Sequence, residues 1–104
     1  CENSRPSWFG FLITCRDGVD RNQIVQQIEA RGVQTRMLFA GNLTKHPCFD
    51  QMRATGKGYR IAGTLENTDR IMRDTFWIGV YPGMTDEMLE AMANAIKDAV
   101  NGVK

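Results

Sequence analysis

The chain has 104 residues, 42% hydrophobic and 24% charged, a size and composition suited to one globular domain that buries roughly 65% of its unfolded surface. No apolar run approaches the roughly 20 residues of a membrane span, and the N-terminus lacks the basic flank and apolar stretch of a secretory leader. Net charge is +1 with no basic run or interleaved exposed aromatics, which argues against a nucleic-acid partner.

Cys1, Cys15 and Cys48 are an odd, widely spaced set without C-x-x-C, which argues against a disulfide framework or a metal site and suits a reducing, cytoplasmic setting. The chain begins with Cys rather than Met, and on that ground it is expected to be a piece of a longer parent.

Taken in order, residues 4–7 form a linker. Residues 8–15, WFGFLITC, are a near-continuous apolar run, expected to be a strand buried on both faces. Gly10 within it points to close approach of another backbone or a large ring. After a turn at Arg16-Asp17-Gly18, Asp20 is placed to cap a helix, with Gln23 completing a capping box. Ile24, Val25 and Ile28 share one helical face, and Gly32 stands at the C-terminal cap. Residues 33–39 form a second strand, and a short helix is expected over 47–53 with Pro47 in its first turn.

Residues 55–63 are Gly-rich and expected to be a mobile excursion. They are not a phosphate loop, because Gln51 and Gly58 stand where that motif needs Gly and Ser or Thr around Gly56-Lys57. Thr64 or Asn67 caps a helix through Met72, and residues 75–80 form a third strand. Tyr81-Pro82-Gly83 turns into a last helix opened by Thr85. Asp86 and Glu87 sit in its first turn, Met84 and Leu89 form a staple, and Gly102 ends it. The stripe Met88, Met92, Ile96, Val100 is expected to face the core. The order β-α-β-(α)-α-β-α specifies an α/β two-layer sandwich, about three strands with helices on one face.

Residues 35–49, TRMLFAGNLTKHPCF, stand out. A short apolar strand breaks into Gly41-Asn42, bracketed by Arg36, Lys45 and His46, which is how a binding loop is carried on a rigid strand. Residues 31–60 hold six basic side chains against Asp50 alone, a net of +5, while residues 61–104 carry a net of −3. The middle third is thus a field for an anionic ligand, or a set of scattered solvated cations. Arg36 suits a phosphate or carboxylate, or a surface ion pair. Asn42 is a ligand contact or a turn residue. His46 is a ligand contact or a cap. No catalytic constellation is complete.

The strings WFGF, TRMLFAGNL, ENTDRIM and TFWIGVYPGMT, in this order and spacing across nearly the whole chain, resemble the C-terminal domain of sugar-modifying enzymes of the aspartate-aminotransferase superfamily. Within it they are most similar to the sugar-nucleotide 3-dehydrases that act on CDP-4-keto-6-deoxyhexoses in lipopolysaccharide O-antigen synthesis. The resemblance implies that residues 1–104 are one small C-terminal domain of a fold-type I pyridoxal-phosphate enzyme, closing over an active site. It implies pyridoxamine or pyridoxal phosphate, and a [2Fe-2S] cluster in the parent. It also implies a CDP-sugar substrate, a preceding large domain, a homodimer and a reductase partner. The cofactor lysine position and cluster cysteines would lie before Cys1, so Lys45, Lys57, Lys97, Lys104 and the three cysteines are not assigned to them. Arg36 and Asn42 are the expected substrate contacts, Gly41 allows close backbone approach, and Lys45 and His46 are secondary. Catalytic and metal residues are expected to be absent from this segment, which alone would be inactive. Two alternatives remain: the same domain of a sugar aminotransferase, and a stand-alone binding module.

Overall fold

The computed structural model describes residues 2–103, so the expectations for Cys1 and Lys104 lie outside the described residues. Three strands, β1 (Gly10–Thr14), β2 (Thr35–Met37) and β3 (Thr75–Gly79), form one sheet in the order β1-β3-β2. Both outer strands run antiparallel to β3, with Leu12 and Arg36 each opposite Trp77. Among the described residues four α-helices accompany them: α1 (Arg21–Glu29), α2 (Asp50–Thr55), α3 (Glu66–Asp74) and α4 (Asp86–Gly102). The expected α/β architecture of about three strands with a helical layer therefore forms.

Strand alternation decides which side is covered. Ile13, Cys15, Phe76 and Ile78 point to the side on which α1 and α4 lie, and there they join Ile24, Val25, Ile28 and Ala99 in one core. Phe76 and Ile28 are fully buried. Asp20 caps α1 by accepting from Asn22 N at 2.8 Å. The reciprocal bond expected from Gln23 does not form.

The expectation of a strand at 8–15 buried on both faces is overturned. Trp8, Phe9, Phe11 and Leu12 are 70%, 68%, 61% and 56% exposed. β1 is an edge strand: Leu12 points to the side of the sheet that, among the described residues, no helix covers, and Phe11, opposite Ile78 on the helix side, lies outside the core that α1 and α4 close. Trp77 points to the same open side as Leu12. There Trp77 meets Phe9 and Phe39 in T-shaped contacts, with ring centroids 5.3 and 6.0 Å apart. Gly10 makes this possible, since a Cβ there would lie 2.6 Å from Trp77 Cε3, so the close approach of a large ring is borne out.

The Met stripe of α4 is only partly inward. Met88 and Val100 are 42% and 43% exposed, whereas Ala95 and Ala99 are buried, with Met92 and Ile96 beside them. The buried face is rotated toward the alanines, whose small side chains let α1 approach closely. Leu89, expected to staple the start of α4, is half exposed, and Thr85 caps the helix through Met88 N. α3 starts at Glu66, behind Leu65 in the left-handed region at φ 58°, instead of behind a Thr64 or Asn67 cap. The helix expected over 47–53 splits into a 3-10 turn, Pro47–Phe49, followed by α2.

Candidate functional site

Beyond β2 the chain enters the polar loop at 40–46, whose own side chains hold its shape. Asn42 is 2% exposed. Its Oδ1 accepts from Thr44 N at 3.0 Å and Thr44 Oγ1 at 2.6 Å, capping the 3-10 turn Leu43–Lys45. Its Nδ2 donates to Asp69 Oδ1 on α3 at 2.8 Å. Lys45 Nζ approaches the other oxygen of the same carboxylate at 3.0 Å. The Asn42 bond, and then Lys45, hold the Asp69 carboxyl below its ordinary range.

Gly41 sits at φ +73°, and a Cβ on it would lie 2.8 Å from Met72 Cγ. The Asn42 N–H meets Met72 Sδ at 3.3 Å. Both contacts press the loop onto α3. On its other flank Arg53 donates to the carbonyls of Thr44 and His46, the latter at 2.9 Å, and pairs with Asp50. His46 Nε2 is 2.6 Å from the Ala40 carbonyl, which requires a proton on Nε2. Nδ1 has no partner among the described residues.

The five residues singled out from the sequence thus fall into two groups. Gly41, Asn42, Lys45 and His46 come together in one loop. Arg36 stands apart, on the open side of the sheet opposite Trp77. It donates to Thr35 O at 2.9 Å, and the Gln34 amide oxygen can accept from it at 3.0 Å.

The cationic middle third is partly neutralised by the fold. Arg31 meets Asp98 at 2.5 Å, Lys45 meets Asp69, and Arg53 takes Asp50. Arg36, Lys57 and Arg60 have no acidic partner among the described residues. Sequence reasoning missed Asp69 and Met72, the two α3 residues that receive the loop. Both lie within ENTDRIM, but no local spacing rule links that segment to residues 27 and 30 positions earlier. Cys15 is buried and Cys48 exposed, both as free thiols. Burial, and then Asp74, raise the Cys15 thiol, so it is not an activated nucleophile. The described residues contain no group of three or more His, Cys, Asp or Glu able to hold a metal.

The fold and the loop define a small two-layer α/β domain that carries, beyond the end of β2, a polar loop held in shape by its own side chains and by α3. The chain belongs to the DegT/DnrJ/EryC1/StrS aminotransferase family, whose model matches residues 1–97. It is 46% identical over 100 residues to a dTDP-4-dehydro-2,6-dideoxy-D-glucose 3-dehydratase of Saccharopolyspora spinosa, covering 94% of this chain and 21% of that protein. It is also 46% identical over 99 residues to the lipopolysaccharide biosynthesis protein RfbH of Salmonella typhimurium, covering 93% of this chain and 22% of that one. The chain therefore spans about a fifth of the length of these curated relatives.

The family depends on pyridoxal phosphate. The described residues do not build a pocket for that cofactor by themselves. Lys45 is committed to Asp69 at the surface, and Lys57 and Lys97 are exposed, so none of these amines lies in an enclosed site. Among the described residues no helix is long and apolar enough to cross a membrane.

Proposed function

We propose that this chain is the C-terminal share of a sugar-nucleotide 3-dehydratase that acts in lipopolysaccharide biosynthesis. In this reading residues 1–104 form one small domain that follows a larger one. The pyridoxamine or pyridoxal phosphate cofactor, held by that larger part, serves as the electron sink while the 3-hydroxyl leaves a nucleotide-linked 4-keto-6-deoxy sugar. The observation that carries the reading is the 46% identity over 100 residues to a named sugar 3-dehydratase.

The residues of this chain bind and orient. Arg36, Lys45 and His46 contact the substrate, and Gly41 and Asn42 fix the backbone from which the last two project. A [2Fe-2S] cluster, a reductase and a homodimeric, cytoplasmic assembly complete the proposal, and the cluster draws on no thiol described here.

The test is to supply the full-length protein with CDP- and dTDP-linked 4-keto-6-deoxy sugars and follow the 3-hydroxyl. Its loss is expected, and amino transfer without it would overturn the proposal in favour of a sugar aminotransferase, the reading that the family's own description favours. Arg36→Ala in the same protein should weaken substrate binding by about 1–3 kcal/mol. Unchanged KM and kcat would remove Arg36 from the site.

A further inference from the structure

After α2 the chain reverses at Gly56, in the left-handed region at φ +66°, and again at Gly58, at φ +87°. The second reversal brings Tyr59 back beside Phe49 and Met52, leaving a cleft of about 240 Å³ lined by Leu43, Phe49, Met52, Gly58 and Tyr59. Nothing in the core explains this hollow, because α2 and residues 56–63 contain no buried side chain. Leu43, Met52 and Tyr59 stay 55%, 40% and 41% exposed around it. The cleft adjoins the polar loop, sharing Leu43 and Thr44 with it.

Two features define what would fill it. The cleft is smaller than the roughly 300–1,000 Å³ of sites that enclose a whole small ligand, so it takes one flat apolar ring, not an entire molecule. Lys57 and Arg60 flank Tyr59 in sequence and have no acidic partner among the described residues. The one carboxylate of residues 31–60, Asp50, is already paired with Arg53. An apolar cleft walled by Tyr59, with unpaired cations within two residues of that ring in sequence, matches an aromatic heterocycle attached to a polyanion.

We propose that this cleft seats the nucleobase of a nucleoside diphosphate, with the Tyr59 ring as stacking surface and Lys57 and Arg60 on the phosphates. The assignment rests on the sugar-nucleotide reading above and locates the nucleotide end of the substrate. The polar groups at the cleft offer little for reading a base edge. Thr44 Oγ1 already donates to Asn42, and Arg53 is spent on backbone carbonyls and Asp50. The site therefore holds a pyrimidine by stacking and charge with weak discrimination between cytosine and thymine.

The experiment measures binding of CDP, dTDP and inorganic pyrophosphate to the full-length protein. CDP and dTDP should bind with affinities within about threefold of each other. Tyr59→Ala should weaken both by about tenfold and leave pyrophosphate unchanged, while Tyr59→Phe keeps the affinity. Lys57→Gln with Arg60→Gln should weaken all three ligands and flatten the salt dependence.

Wild-type CDP and dTDP affinity in both the Tyr59→Ala and the doubly neutralised proteins would overturn this assignment and leave the dehydratase proposal standing. Failure of the unaltered protein to bind either nucleotide would instead remove the sugar-nucleotide reading itself. A Tyr59→Ala protein that loses thermal stability with unchanged CDP affinity would show that the cleft holds part of the protein, which also overturns the assignment.

Discussion

The helix-covered side of the sheet and the loop at 40–46 are both firmly placed, by different physics. Phe76, Ile78, Ile24 and Ile28 are fixed by burial against α1 and α4, a non-directional force that depends little on pH or salt. The loop is fixed by directed polar contacts: Asn42 to Thr44 and Asp69, Lys45 to Asp69, and Arg53 to two carbonyls. A segment this rich in exposed polar groups cannot be held by apolar burial alone, and these directed contacts hold it while leaving His46 Nδ1 without a partner among the described residues.

This contrast makes graded predictions. Phe76→Ala, on the covered side, should lower global stability by about 3–5 kcal/mol in urea unfolding, and a loss under about 1 kcal/mol would mean the core is not organised around that ring. Asn42→Ala strands the Thr44 N–H and one Asp69 oxygen, and should cost about 1–3 kcal/mol. Its signature is local: amide exchange should accelerate at residues 41–46 and not in β3, and a uniform acceleration would place Asn42 in the cooperative core instead. Gly41→Ala forces a Cβ against Met72 at positive φ and should cost about 1–2 kcal/mol, with the same local exchange pattern.

The smallest effect is a pH response confined to the loop. Asp69 has a carboxyl held below the usual aspartate range by Asn42 and Lys45, so its contribution is fully present above the ordinary value of about 3.9. That contribution is lost as pH falls through the depressed value. Amide exchange in the loop should therefore rise in acid before exchange in β3 does, and Asp69→Asn should abolish the difference. A loop that loosens in acid equally in both proteins would remove Asp69 from its anchoring.

Local rules made much of this fold legible. The Asp20 and Thr85 caps, the helical face of Ile24, Val25 and Ile28, and the ring pressed on Gly10 follow from nearest-neighbour chemistry. Hydrophobicity at residues 8–15 declared that these side chains avoid water. It carried no information on what covers them, and within the described residues Phe9, Phe11 and Leu12 are exposed. On α4, periodicity gave a face but not its rotation, which the packing of Ala95 and Ala99 determined.

For the loop, composition marked a segment that the fold gathers into one polar loop, and it overstated the free charge there. Asp69 and Asp98 lie far along the chain and neutralise Lys45 and Arg31 only once folded. The role of Asn42 as a tether to α3 was equally hidden, because its partner is 27 residues away.

One guanidinium gives this arrangement a mechanical character. Arg21, at the start of α1, donates through Nη1 to the carbonyl of Met72 at 3.1 Å and of Thr75 at 3.2 Å. It pins the junction where α3 becomes β3. The same α3 carries Asp69 and the Met72 side chain, on which the loop rests. A rotation of α3 about that pin would therefore swing Gly41, Asn42 and Lys45 together, as the arm of a lever whose fulcrum is Arg21.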